Sequence, residues 1–562
     1  MVCYNTLRML EMGGDDGLNK RTPRVAGQVM SGALLLGMAT IVSKVIGTLQ
    51  KIPLQNIGGD GVFGIYNAVY PFYVLLVAIA SAGIPVAVAR LVAECEAAGD
   101  EIGSEQVLLA SGLLMTVTGI AGFFAMLAGA EQIASWIGNQ HTVAAIQSAA
   151  YALLVMPLAA ALRGYDQGSG RMTSTAVSQV VEQTGRVAVM IGLLLYYSHL
   201  GAADETIAAG ATLGSFAGGL CGLLTMMIFR WREKRRNRSR LRKRPQLGMK
   251  QQAGAIWSWI RKLTWTALPI CLGAIVLPAV NVVDVFTVPR FLLQQGWSEA
   301  EALAQFGVYS RAYPLVQLVT MVASSLAVGI VPMVALLMRR EGTVGLAPTI
   351  KTALRWSWML GLAATVGLVA LAEPLNVALY TDSAGTLTFV LVASTAVSGV
   401  FHAVSAALLQ GMGAVRAPAV HLVCAAIVKA ALNVWLIPAY GIAGAAISAA
   451  ASLGLAAALN AHALAVASGV HFAAWGARSA RLALALGGMA AGVSLAAAVP
   501  AWLGASGRLA AVLAVALGVP LGAAIFALLA IALGAVRPQE LAELPRIGPK
   551  LASFAARFSP RM

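Results

Sequence analysis

Two stretches decide the reading of this chain: FGIYNAVYPFY at Phe63–Tyr73 and FGVYSRAYPLV at Phe306–Val316. Phe63/Phe306, Gly64/Gly307, Tyr66/Tyr309, Tyr70/Tyr313 and Pro71/Pro314 are identical, each pair 243 residues apart. The copies part where charge is concerned, since Arg311 stands opposite Ala68. A second block keeps the offset. QGSGRMTSTAVSQVVEQTGRV from Gln167 lies opposite QGMGAVRAPAVHLVCAAIVKA from Gln410. There Gln167/Gln410, Gly168/Gly411, Gly170/Gly413, Ala176/Ala419, Val177/Val420 and Val180/Val423 are identical, and Arg186 falls opposite Lys429. Two blocks at one offset read as an internal duplication.

Composition sets the solvent in which the duplicated units fold. Of 562 residues, 59% are hydrophobic and 11% charged, and the mean hydropathy is +0.78. A soluble chain carries roughly 25% charged residues, so lipid faces most of this one. Backbone in lipid must satisfy its own hydrogen bonds, which leaves helices or closed barrels. The ~10-residue alternating segments of a barrel are absent. Apolar runs near the ~20 residues that cross a bilayer are read at 26–48, 65–88, 105–129, 142–162, 174–198, 205–229, 264–288, 312–337, 354–376, 385–409, 417–437, 441–467, 480–502 and 508–534. No cleavable signal peptide is read, and the first span serves as the insertion signal.

Equivalent positions lie six spans apart, an even number, so equivalent helices run in the same direction. The expected fold is an all-α polytopic membrane protein with 14 transmembrane helices: two parallel six-helix repeats, with a pseudo-two-fold along the membrane normal, plus two C-terminal helices. That is a two-lobed transporter plan. The expected parts are an N-terminal segment 1–25, an N-lobe 26–229, a basic linker 230–263, a C-lobe 264–467, the last two spans 480–534 and an amphipathic tail 535–562. Lys and Arg in short loops set orientation. Lys20, Arg21 and Arg24, the run FRWREKRRNRSRLRKRPQLGMK, then Arg339, Arg340, Lys351, Arg355, Arg478 and Arg481 share one side if both termini are cytoplasmic. The net charge of +16 is mostly this topology signal. It suits anionic lipid heads and implies no nucleic-acid partner.

Catalytic chemistry finds no foothold. The five cysteines, Cys3, Cys95, Cys221, Cys271 and Cys424, form no CxxC. There is no phosphate-binding glycine loop, nucleophile elbow, HExxH or DxD. The expectation is a protein that is not an enzyme and has no metal, cofactor or catalytic residue.

Ser43–Glu94 (SKVIGTLQKIPLQNIGGDGVFGIYNAVYPFYVLLVAIASAGIPVAVARLVAE) and RGYDQGSGRMTSTAVSQVVEQTGRV from Arg163 resemble the SpoVB/YtgP-type polysaccharide biosynthesis proteins. These group with the MurJ lipid II flippases in the MATE-like MOP superfamily. LPAVNVVDVFTVP (Leu277–Pro289) and YSRAYPLVQL (Tyr309–Leu318) are similar to the family's seventh and eighth helices. The resemblance implies a flippase for an undecaprenyl-pyrophosphate-linked glycan such as lipid II, working among membrane lipids. A coupling ion (Na+ or H+) or the membrane potential would drive it, alongside cell-wall synthesis machinery. Two alternatives stay open: a MATE-type multidrug or cation antiporter, and a non-transporting cell-wall or spore assembly scaffold.

Charges inside spans need a partner, water or substrate. Lys44 and Lys51 lie seven residues apart toward the outer end of span one, on one face if the helix persists. Asp284 lies late in span seven and Arg311 at the outer start of span eight. These four are the candidate substrate contacts, with an Arg311–Asp284 structural pair as the rival reading. Arginine suits phosphate through its bidentate fork. The family resemblance implies a cationic substrate cluster to which Lys44 and Arg311 correspond in position. Glu182 and Arg186, spaced i, i+4, form an ion pair or a gating or ion-coupling site, with Lys429 as the counterpart of Arg186. Gly210, Gly214, Gly218 and Gly222 mark a closely packed helix face.

Overall fold

The structure, a computed structural model, describes residues 22–81, 83–236, 249–469, 476–536 and 540. The basic run beyond Arg236 up to 248 and the expected amphipathic helix at 546–558 lie outside the described residues. Every regular element among the described residues is helical. Among the described residues ten stretches are long and apolar enough to cross a membrane, and the first, Leu34–Ala97, runs through most of the first expected span and all of the second. The expected spans at 174–198, 264–288 and 312–337 are helical as well but fall outside those ten. For 174–198 the cause is plain: Gln179, Glu182, Gln183 and Arg186 sit within it.

One compact unit takes the residues up to Gly58 together with Ile65–Val285. Its helices are α1 (Thr22–Leu49), α2 (Lys51–Ser81, less Gly59–Gly64), α3 (Ile84–Ala97), α4 (Glu101–Ala128), α5 (Ala130–Ile137), α6 (Val143–Ala150), α7 (Met156–Gly168), α8 (Met172–His199), α9 (Asp204–Arg236) and α10 (Met249–Gln294) up to Val285. Asp100 caps α4 by accepting from the Gly103 amide at 2.8 Å, satisfying a donor the helix leaves over. α8 lies along α9, α1 along α8, and both α3 and α4 pack on α7. Ile84, Val88, Leu91, Val107, Met115 and Leu263 form an apolar core there. In lipid the gain comes from tight packing rather than from leaving water.

The second unit holds Gly59–Gly64 of α2 and everything from Phe286 onward. It contains α11 (Glu299–Ser310), α12 (Tyr313–Ala370, turning at Gly342 with φ 68°), α13 (Ala372–Tyr380), α14 (Thr386–Ala393), α15 (Thr395–Gly411), α16 (Ala417–Tyr440), α17 (Ile442–Ser468), α18 (Gly476–Trp502) and α19 (Gly507–Ala532). Ser298 and Glu301 close a capping box on α11. α12 packs on α15, α15 and α16 on α17, and α18 on α19. Val334, Leu346, Leu354, Phe401, Leu408 and Leu464 build its core. On α2, Gly64 lies directly against α11 at Gly307, with no side chain between the backbones.

The duplicated QGxG block takes one shape in both units. Gly170 (φ 74°) and Gly413 (φ 89°) both close a helix in the left-handed region, where glycine is the default. A Cβ on Gly168 would lie 2.8 Å from Val92 Cβ, and one on Gly411 would lie 2.8 Å from Val334 Cβ. Val92 and Val334 are themselves 242 residues apart.

Candidate functional site

In the first unit the buried charges of α8 have three partners rather than one. Glu182 and Arg186 are 8% and 7% exposed. Arg186 Nη2 donates to Glu182 Oε1 at 3.5 Å, as the i, i+4 spacing predicts. The stronger bond comes from α7, where Arg163 Nη2 donates to Glu182 Oε2 at 2.6 Å. Arg163 also donates from Nε and Nη2 to Ser178 Oγ at 3.1 and 2.8 Å. Ser178 in turn donates to the Gly222 carbonyl at 2.9 Å. Arg186 Nη1 donates to the Tyr70 hydroxyl at 3.5 Å, which ties the duplicated tyrosine to the ion cluster.

The glycine face of α9 makes room for this cluster. A Cβ on Gly218 would lie 2.6 Å from the Glu182 carbonyl and 2.7 Å from Arg186 Cβ. One on Gly222 would lie 2.8 Å from Arg163 Nη2 and 3.1 Å from Glu182 Cβ. The stripe therefore lets two charged residues lie flat between α8 and α9.

Lys44 is exposed on α1, and among the described residues nothing pairs with it. Lys51 opens α2 and donates from Nζ to Asn67 Oδ1 at 3.1 Å. The helical turn carries through the α1–α2 junction, with Gln50 N donating to Ile46 O at 3.1 Å and Leu54 N to Gln50 O at 3.3 Å. Asp284 on α10 is 6% exposed. Where the end of α7, the start of α8 and the end of α9 meet lies a further network, in which Arg171 donates to Asp166 at 2.9 Å and to Glu233 at 2.6 Å.

The second unit answers why one copy carries an arginine. Arg311, 1% exposed, is a clasp rather than an open cation. Its Nε and Nη2 donate to Asp60 Oδ1 and Oδ2 at 3.1 and 2.6 Å. Its Nη1 and Nη2 donate to Asp382 Oδ1 and Oδ2 at 2.7 and 3.1 Å. Nη1 also reaches Asn376 Oδ1 at 3.1 Å, and the Tyr380 hydroxyl donates to the Arg311 carbonyl at 2.7 Å. Two bidentate carboxylate pairs use the donor fork that only arginine offers. The carboxylates on Arg311 are thus Asp60 and Asp382. The hydrogen bonds from Arg311 hold the Asp382 carboxyl below the usual carboxylate range. Lys429 on α16 is 5% exposed, and one turn further along Asn433 donates to Thr287 Oγ1 at 2.7 Å.

Asp60, Asp382, Asn376, Arg163 and Tyr70 are the participants that sequence reading misses. Asp60 sits in GGDG, which reads as a turn, and Asp382 in a loop; neither carries a motif. Arg163 ends an apolar run, and there a span boundary hides its depth.

Comparison with known proteins adds the lineage. Residues 29–338 match the family model described as "Polysaccharide biosynthesis protein". The chain is 31% identical to the uncharacterized membrane protein YabM of Bacillus subtilis (strain 168), over 77% of this chain and 79% of that protein. It is 25% identical to the lipid II flippase MurJ of the same organism, over 74% of this chain and 78% of that one. Among solved structures, an inward-facing multidrug resistance MATE family transporter of the MOP superfamily superposes with a TM-score of 0.60 at 14% identity. That superposition covers 75% of this chain and 95% of the transporter, and it shows the shared fold.

Proposed function

Because the chain belongs to the polysaccharide biosynthesis protein family, we propose that it flips a lipid-linked oligosaccharide, lipid II or a close analogue, across the bacterial plasma membrane by alternating access. The observation that carries the substrate class is the sign of the charge within the spans of the first unit. Lys44, Lys51, Arg163 and Arg186 stand there against Asp166, Glu182 and Asp284. A pyrophosphate head asks for cations, whereas a cationic drug asks for an acidic cavity. The likeness to the Bacillus subtilis lipid II flippase over 74% of the chain supports the same choice.

Within this reading Lys44 makes the first headgroup contact, because it is exposed on α1 and no described residue is paired with it. Lys51 lends a second. Arg311 is assigned to holding the second unit together, with its arginine fork already filled by Asp60 and Asp382. The Arg163–Glu182–Arg186 cluster and Lys429 are assigned to gating or coupling, driven by Na+, H+ or the membrane potential. Both termini lie in the cytoplasm, fourteen spans form two parallel lobes with two helices appended, and the glycan arrives on an undecaprenyl pyrophosphate carrier.

The deciding experiment is complementation of a strain depleted of its lipid II flippases, paired with a measurement of lipid II exposed at the outer face. Growth together with restored exposure is the expected result. Drug efflux without complementation would establish the antiporter reading instead.

A further inference from the structure

The junction of α1, α2 and α8 in the first unit holds polar atoms that the Glu182 cluster leaves over. Arg186 Nε, Gln183 Nε2 and Ser43 Oγ are buried with no hydrogen-bond partner among the described residues. Arg186 and Gln183 are 7% and 9% exposed and lie three residues apart on one face of α8. α1 supplies the facing wall. Thr40 Oγ1 donates to Gln179 Oε1 at 3.2 Å, and a Cβ on Gly47 would lie 2.9 Å from Gln183 Nε2. Ser43 sits between these two contacts on the same helix. α2 closes the third side with Tyr66 and Tyr70, stacked at 5.4 Å between centroids. Gln50 Nε2 donates to the Tyr66 hydroxyl at 3.4 Å and leaves its own Oε1 without a partner. If that amide turns over, Tyr66 donates to the oxygen and the amide N–H groups face inward.

Charge points the same way. Arg163 and Arg186 flank a single carboxylate, Glu182, so the buried cluster carries one uncompensated positive charge. A buried, unbalanced charge is costly unless a counter-charge joins it. An amide nitrogen and a guanidinium nitrogen can only donate, so their complement is an acceptor. Arg186 Nη1 and Nη2 each have a partner in Tyr70 and Glu182, and Nε is the guanidinium nitrogen without one. Donors on separate side chains, Arg186, Gln183 and Ser43, suit a monatomic ion, which has no bidentate geometry to match.

We infer that this junction is a binding site for a monovalent inorganic anion of chloride type, held by Arg186 Nε, Gln183 and Ser43. The anion neutralises the cluster and fastens α1 to α8. The site stands on the first unit alone and does not depend on the flippase reading.

The test uses the full chain in detergent, without substrate. Thermal midpoints are compared in sodium chloride and sodium gluconate at equal ionic strength. Excluded solutes such as gluconate stabilise proteins in general, so a higher midpoint in chloride marks specific binding. Gln183→Leu should weaken the chloride dependence by about tenfold, the effect of one hydrogen bond to a charged group. Bromide soaked into wild-type crystals should give an anomalous peak within hydrogen-bond distance of Arg186 Nε. Equal midpoints in the two salts overturn the inference. So does a bromide map with no peak at this junction, and that map decides the matter even if the Gln183 variant fails to accumulate.

Discussion

Gly64 and Gly307 meet backbone to backbone: a Cβ on Gly64 would lie 3.3 Å from the Gly307 nitrogen, and one on Gly307 would lie 3.1 Å from the Gly64 nitrogen. The carbonyls that those atoms would strike are Leu303 and Asp60, and these too are 243 residues apart. The two copies of the duplicated phrase therefore touch at their own equivalent positions. The contact is self-complementary, as in an isologous dimer interface, but lies within one chain.

Alanine at either glycine should be costly, and by similar amounts, because the two environments mirror each other. Gly64→Ala and Gly307→Ala should each lose about 1–3 kcal/mol, the usual range for overpacking. Gly192→Ala is the control, since nothing lies within 4 Å of a Cβ there. It should be neutral or stabilising by roughly 0.5–1 kcal/mol. Thermal midpoints of the purified variants measure all three. A tolerant Gly307→Ala would refute the close crossing.

Removing the acid from the α8 cluster should hurt more than removing the acid together with its base. Glu182→Gln leaves Arg163 and Arg186 facing each other, and breaking a buried pair costs about 3–5 kcal/mol. Arg163→Met combined with Glu182→Met should recover much of the lost accumulation. Quantifying membrane-inserted protein separates the cases; additive losses would mean that the residues act independently.

The Arg311 clasp should show strong coupling in a double-mutant cycle. Arg311→Lys cannot serve two bidentate carboxylates and should be destabilising, and Asp60→Asn should lose less on an Arg311→Lys background than on wild type. Acid offers an independent handle. Asp382 is depressed in the fold, so its contribution is fully present above the unfolded value of about 3.9. It is lost only as pH falls through the lower folded value. Wild-type midpoints should therefore hold their clasp contribution down to about pH 4, with the Asp382→Asn variant differing from wild type by a constant amount above it. A difference that vanishes already near pH 6 would contradict the depressed carboxyl.

For the headgroup contact, Lys44→Ala should abolish or strongly reduce complementation at matched protein level, and Lys44→Arg should retain it. Full growth with alanine would remove Lys44 from the substrate path.

Orientation has its own test. A cysteine introduced near Arg236 should resist an impermeant thiol reagent in intact cells and react in inverted vesicles. Ready labelling in intact cells would reverse the topology.

The sequence exposes those parts of the molecule that obey a period or a solvent rule. The all-helical class follows from apolar runs, and the α9 glycine face follows from its four-residue spacing. Glu182–Arg186 is legible because both partners lie on one helix. The Arg311 partners are not legible, because Asp60 and Asp382 reach it from segments 251 and 71 residues away in the chain. No local pattern encodes such a meeting. Arg163 stays hidden for a related reason: a charge at a span end reads as interfacial until the neighbouring helix covers it.

At the Gly64–Gly307 crossing the matched contact is made of peptide groups alone. Nothing there depends on what Asp60 or Leu303 carries beyond Cα. Each copy is consequently at liberty to change its outward-pointing chemistry while the joint between them stays the same. The chain has used that liberty, with an acid at Asp60 facing a leucine counterpart and an arginine at Arg311 facing Ala68. The Arg311 clasp, which breaks the internal likeness, is built from the side chains that the likeness never constrained.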